Sequence, residues 1–144
     1  MASKIQESFW LRQIFLLTAT FLTIIIIGYY FGTFDQSIHI PFLKKFANPS
    51  LYPNDTLLAL RFTHYSFFWY PFIFFLNKGL LEPAVFVVHV LSIYLTYSAI
   101  WALSLRLFRN PLAAVFSVLA FIIPHVGFTG FSVFEFSLLN RTFA

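Results

Sequence analysis

The chain has 144 residues, 60% of them hydrophobic and 10% charged, with a formal net charge of +4 and a mean hydropathy of +0.82. Soluble domains carry about 25% charged residues, so this composition excludes an ordinary water-facing surface. The nine basic residues are scattered in ones and twos, which excludes a face that tracks nucleic-acid phosphates. The absence of cysteine excludes disulfides, thiolate metal sites and a cysteine nucleophile.

The fold class that follows is an all-α integral membrane protein. It is expected to have about three transmembrane helices, plus amphipathic or re-entrant helices in a first outer loop. Residues 1–144 form a single membrane domain. Its partner is membrane lipid, and no nucleic acid is expected.

A polar lead carries Lys4 and Arg12, and residues 14–31 then run without a charge. Started at Phe9, a helix to residue 31 is long enough to cross a hydrocarbon core of about 30 Å. A cleaved signal peptide normally has an apolar region of about 7–15 residues followed by small residues. Here the run is longer and ends in GYYFGTF, so residues 9–31 are read as a retained first span.

Residues 32–82 form the outer loop. Ile38, Phe42, Leu43 and Phe46 recur at helical spacing, which predicts a surface helix over about 36–47. Asn48-Pro49 should end it, because proline disfavours helix in the residue before it. Tyr52-Pro53-Asn54-Asp55 is turn chemistry, with Asp55 or Asn54 placed to cap what begins at Thr56. A second surface helix is expected over about 56–78. Its aromatic part, 62–77, is about 24 Å long as a helix, short for a span and interrupted by Pro71. A full crossing by that segment is the alternative.

Span 2 is predicted at 84–107, opened by Pro83 at a first helical position and closed by Arg106 and Arg109. Asn110-Pro111 makes a turn into span 3 at 111–126, and residues 127–144 form an outer tail. Lys4, Arg12, Arg106 and Arg109 favour a cytoplasmic N-terminus, since basic residues in short loops stay inside. That topology gathers Asp35, Asp55, Glu82, Glu135, His39, His64 and His125 at the outer face, with His89 a turn and a half inside its helix. An ionisable group in or near lipid is costly and usually has a partner or a task.

At YYFGTFDQSIHIPFLKKF the sequence resembles the beginning of the GT-C class of membrane glycosyltransferases. The run NPSLYPNDTLLA is similar to stretches in uncharacterised bacterial multi-pass proteins. The resemblance implies enzymes that use lipid-phosphate-linked sugar donors, a bacterial inner-membrane location and further membrane helices. It places an acid shortly after the first span, a position Asp35 occupies; where many family members have a second acid, this chain has Gln36. Such enzymes have many more spans, so the chain is expected to be their opening portion, inactive alone. Its end at Ala144 suits a truncated or split reading frame.

In this reading Asp35 is the general base, and Lys44, Lys45 and Arg61 hold the phosphate of a polyprenyl-phosphate-linked sugar. A divalent cation enters by family analogy only. His39, Asp55, His64, His89 and Glu135 are the other polar outer-face candidates. Structural roles compete at each position. Asp35 can cap the surface helix, the two lysines can anchor to headgroups, and His89 can hydrogen-bond within the helix packing. The histidines match no metal-ligand spacing. The competing function is a small non-catalytic membrane subunit or assembly protein with the loop as its docking surface.

Overall fold

The structure, a computed structural model, describes residues 2–59, 67–124 and 133–135. Among these, every regular element is helical: α1 (Ala2–Ile27), α2 (Asp35–Ala47), α3 (Thr56–Ala59), a 3-10 turn (Phe67–Trp69), α4 (Phe72–Leu76), α5 (Leu81–Phe108) and α6 (Pro111–Ile122). The chain divides into two compact units. One comprises residues 1–29 and 90–136, the other residues 30–89 and 137–144.

Two helices are long and apolar enough to cross a membrane, Phe9–Ile27 within α1 and Leu81–Phe108. Only 22% and 28% of their most apolar windows are buried within the protein. The core helix of a water-soluble domain would be mostly covered. Phe9, Leu17, Phe21, Ile25, Val87, Leu95 and Leu103 all lie exposed. Hydroxyl side chains on these helices return to their own backbone: Thr18, Thr20, Thr23, Thr96 and Ser98 each donate to the carbonyl four residues earlier at 2.9 Å. This satisfies them locally, within their own helix.

In the first unit α1, α5 and α6 meet around Leu16, Ala19, Ile93, Tyr97, Val118 and Ile122. At its centre the hydroxyls of Thr23 and Tyr97 lie 2.5 Å apart, both fully buried. A second polar tie joins α1 to α5, where the Tyr94 hydroxyl donates to the Gln13 side-chain oxygen.

Helix ends differ from the sequence expectation in instructive places. Helix α1 stops at Ile27 rather than 31, because Gly28 takes a left-handed φ of 85° while its N–H still bonds the Ile24 carbonyl. Helix α5 starts at Leu81, so Pro83 is its third residue, still within the first turn where a backbone N–H has no intrahelical acceptor. Helix α6 has 12 residues, about 18 Å at 1.5 Å per residue, and ends before the expected 126. Asn110 caps it, accepting from the Leu112 N–H at 3.0 Å.

The second surface helix is not continuous. Between residues 67 and 77 the described chain is a 3-10 turn, a turn at Tyr70-Pro71 and five residues of α4. Proline fixes φ and has no N–H, and here it stands as the N-cap of α4.

Candidate functional site

The second unit is built around α2. Its apolar face, Ile40 and Leu43, packs with Trp69, Phe72, Leu81 and Val85 into a closed core. Trp69 is fully buried there, although its neighbourhood of Trp and Tyr reads as an interfacial belt in the sequence. The reason is local: breaking the aromatic segment at Tyr70-Pro71 turns Trp69 inward onto α2. Helix α2 carries Pro41 in its interior, so the Ser37 carbonyl lacks the usual donor four residues on.

The junction between α1 and α2 is a set of tight backbone constraints. Gly32 has a φ of 77°, and its N–H donates to the Gln36 side-chain oxygen at 2.9 Å. Gln36 is fully buried, and nothing in its sequence position beyond the neighbouring acid signals that role. Phe34 adopts φ 49° and ψ −131°, and the Gln36 N–H reaches the Thr33 carbonyl at 3.1 Å. That is the backbone of a type II′ turn, whose first central position normally requires glycine. Phe34 therefore stores backbone strain directly before Asp35.

Asp35 is the first residue of α2, half-exposed, with no hydrogen bond to its carboxylate among the described residues. It does not cap the helix: Phe34 is the N-cap, without a side-chain bond. Its charge does favour the positive end of the helix dipole. His39 follows one turn later on the same face. Its ring stacks on Trp69 with centroids 5.5 Å apart and planes 23° from parallel. Burial lowers the His39 pKa below its ordinary value, and the negative charge of Asp35 partly opposes that shift.

The other sequence candidates are not brought to this pair. Lys44 lies nine residues beyond Asp35, about 14 Å along the axis and half a turn round the helix, and is exposed. Lys45 is buried, and its ammonium donates to the Tyr52 carbonyl at 2.8 Å. Asp55 caps α3, accepting from the Leu58 N–H at 3.0 Å, as its position before Thr56 predicts. His89 is buried in α5, and Glu135 is half-buried in the short segment 133–135. Arg61, His64 and His125 lie outside the described residues.

No three His, Cys, Asp or Glu side chains among the described residues come together to hold a metal ion. The residue next to Asp35 is Gln36, buried and bonded to the Gly32 N–H. The residues described do not fit a divalent cation here. What remains chemically available is one carboxylate and one largely neutral imidazole, held on a single helical face behind a strained turn. Comparison of the chain with family models, with curated proteins and with solved structures gives no match.

Proposed function

We propose that the chain is the membrane-embedded opening portion of a GT-C-like glycosyltransferase, with Asp35 as its general base at the extracytoplasmic face of a bacterial inner membrane. The observation that carries this reading is the half-exposed carboxylate of Asp35, which has no hydrogen bond among the described residues and faces His39 one turn on. It follows the end of the first apolar helix by eight residues, at the head of α2, beside a residue in a strained backbone conformation. Strain of this kind clusters at functional positions. The topology is a cytoplasmic N-terminus and about three crossings, the third at residues 111–126.

In the reaction Asp35 takes the proton of an acceptor hydroxyl as its oxygen forms the new bond to the sugar. The bond between the sugar and its polyprenyl-phosphate carrier breaks, and the carrier phosphate leaves with the electron pair. A base so placed contributes about 10²–10⁴-fold. Lys45 is committed to Tyr52 and Lys44 points away from Asp35, so the cation that holds the leaving phosphate is assigned to Arg61.

A second reading, a non-catalytic membrane subunit that docks through the loop, is favoured by the internal roles of Lys45 and Asp55. Both polar groups serve the loop's own fold. The two readings separate in one experiment. Membranes lacking the chain are complemented with wild type or Asp35→Asn and supplied with labelled polyprenyl-phosphate sugar. Loss of transfer by about 100-fold or more with normal protein level supports the base. Unchanged transfer in D35N, with the chain still co-purifying with a larger membrane protein, supports the subunit.

A further inference from the structure

Helix α4 is apolar at every position, FIFFL, although it lies in the loop between the two long helices. Its residues divide between two sides. Phe72 is buried, and Ile73 and Leu76 pack with it in the core of the second unit. Phe74 and Phe75 remain exposed, in edge contact with ring centroids 5.4 Å apart. A loop helix that met water on its outer side would carry polar residues there.

The turn after α4 extends this patch. The Leu80 N–H donates to the Phe75 carbonyl at 2.8 Å and the Gly79 N–H to the Leu76 carbonyl at 3.0 Å, with Gly79 at a left-handed φ of 70°. These are the paired bonds of a Schellman motif, which commonly sets the residue after the glycine against the one whose carbonyl it takes. Leu80 and Phe75 hold those two positions, and both are exposed. The Lys78 ammonium lies 4.1 Å from the Phe74 ring centroid. Large apolar side chains beside a long-stemmed cation match the layering of a bilayer edge, acyl carbon below and phosphate above.

What covers the patch follows from where the chain goes next. The Leu80 carbonyl accepts from the Ala84 N–H at 3.1 Å, so Leu80 opens the hydrogen bonding of α5, a helix long and apolar enough to cross a membrane. The patch is thereby held at the level where α5 begins. Val87, about two turns on and so on the same side of the helix, is exposed as well.

We propose that α4 and its closing turn are a lipid anchor. Phe74, Phe75 and Leu80 enter the upper acyl region of the leaflet from which α5 starts, with Lys78 at the phosphate level. A row of rings joins the anchor to the candidate site: Phe72 of α4 lies 5.5 Å from Trp69, and Trp69 lies 5.5 Å from His39. The depth that α4 takes is passed on to the face of α2 that carries Asp35 and His39. The anchor depends neither on sugar transfer nor on which side of the membrane holds the N-terminus.

The test is site-directed spin labelling of the full chain in nanodiscs of phosphatidylcholine and phosphatidylglycerol. Phe74→Cys, Lys78→Cys and Leu80→Cys are labelled singly, with Ser50→Cys as the loop reference. Collision with oxygen, which concentrates among acyl chains, is compared with collision with a neutral nickel chelate, which stays in water. Positions 74 and 80 are expected to favour oxygen, and positions 78 and 50 nickel. Leu80→Cys carries the test if Phe74→Cys fails to fold. Nickel preference at 74 and 80 overturns the proposal, and so does low collision with both reagents there, the mark of a protein neighbour such as a second copy. With Phe74→Gln and Phe75→Gln together, a label at Ser37→Cys on α2 should gain nickel collision; no gain overturns the link to the candidate site.

Discussion

The ammonium of Lys45 lies 2.8 Å from the backbone carbonyl oxygen of Tyr52, so a buried cation at the end of α2 pins the turn that leads to α3. Tyr52 itself has a φ of 53° and its carbonyl also accepts from the Asp55 N–H at 3.3 Å. The lysine thus stabilises a backbone conformation that the turn would not hold alone. Replacing it by methionine keeps the stem and removes the donor. Lys45→Met is expected to destabilise the second unit by about 1–3 kcal/mol, the scale of a lost hydrogen bond from a charged group. Thermal unfolding in detergent measures it. Lys44→Gln, one residue away and exposed, should change the midpoint little.

Thr23 and Tyr97 form the matching tie in the first unit. Each hydroxyl is fully buried, and the two lie 2.5 Å apart. Thr23→Val or Tyr97→Phe alone leaves the other oxygen with a poorer partner. The double substitution removes both and should cost less than the sum. A double-mutant cycle is expected to give a coupling of about 0.6 kcal/mol, the average for hydrogen bonds between membrane helices. Strict additivity would mean that the hydroxyls do not hold the helices together.

His39 has its pKa lowered by burial against Trp69, an effect that Asp35 partly offsets. Folding therefore favours the neutral ring. The stability it contributes is present above the unfolded value of about 6.5 and is lost as pH falls from there through the folded pKa. The imidazole resonances should titrate with a midpoint below about 6.5. In Asp35→Asn the midpoint should fall further, since the charge that raises it is gone. A midpoint that rises in D35N would contradict the assigned electrostatics.

Phe34 occupies a turn position built for glycine, with its side chain 65% exposed. Phe34→Gly relieves strain of about 1–3 kcal/mol, against an entropy cost of about 0.5–1 kcal/mol for the more flexible chain. The net expectation is a modest gain in stability. If the strain serves Asp35, activity in the transfer assay falls while stability rises. That split between the two measurements is what a merely local turn defect would not produce.

Much of the architecture could be read from the order of residues, for physical reasons that differ by element. The apolar runs of α1 and α5 are long and uncharged, and length alone marks them. Helix α2 was legible from Ile38, Phe42, Leu43 and Phe46 at helical spacing, and its end from Asn48-Pro49. Asp55 before Thr56 announced the cap. What escaped the sequence depends on tertiary placement. Trp69 looks like a headgroup anchor until Pro71 turns it into a core. Lys45 looks like its neighbour Lys44, yet one faces the loop interior and the other solvent. Gln36 gains its role only from the Gly32 N–H that lies opposite it, and no local pattern encodes that.

The chain contains no cysteine, so single-cysteine variants report one position each. Ser50→Cys in the loop and Phe108→Cys at the end of α5 are both exposed in the fold. In intact cells an impermeant maleimide should label position 50 directly and position 108 only after the membrane is opened. Labelling of both from the same side would contradict the topology, and with it the placement of Asp35 at the outer face.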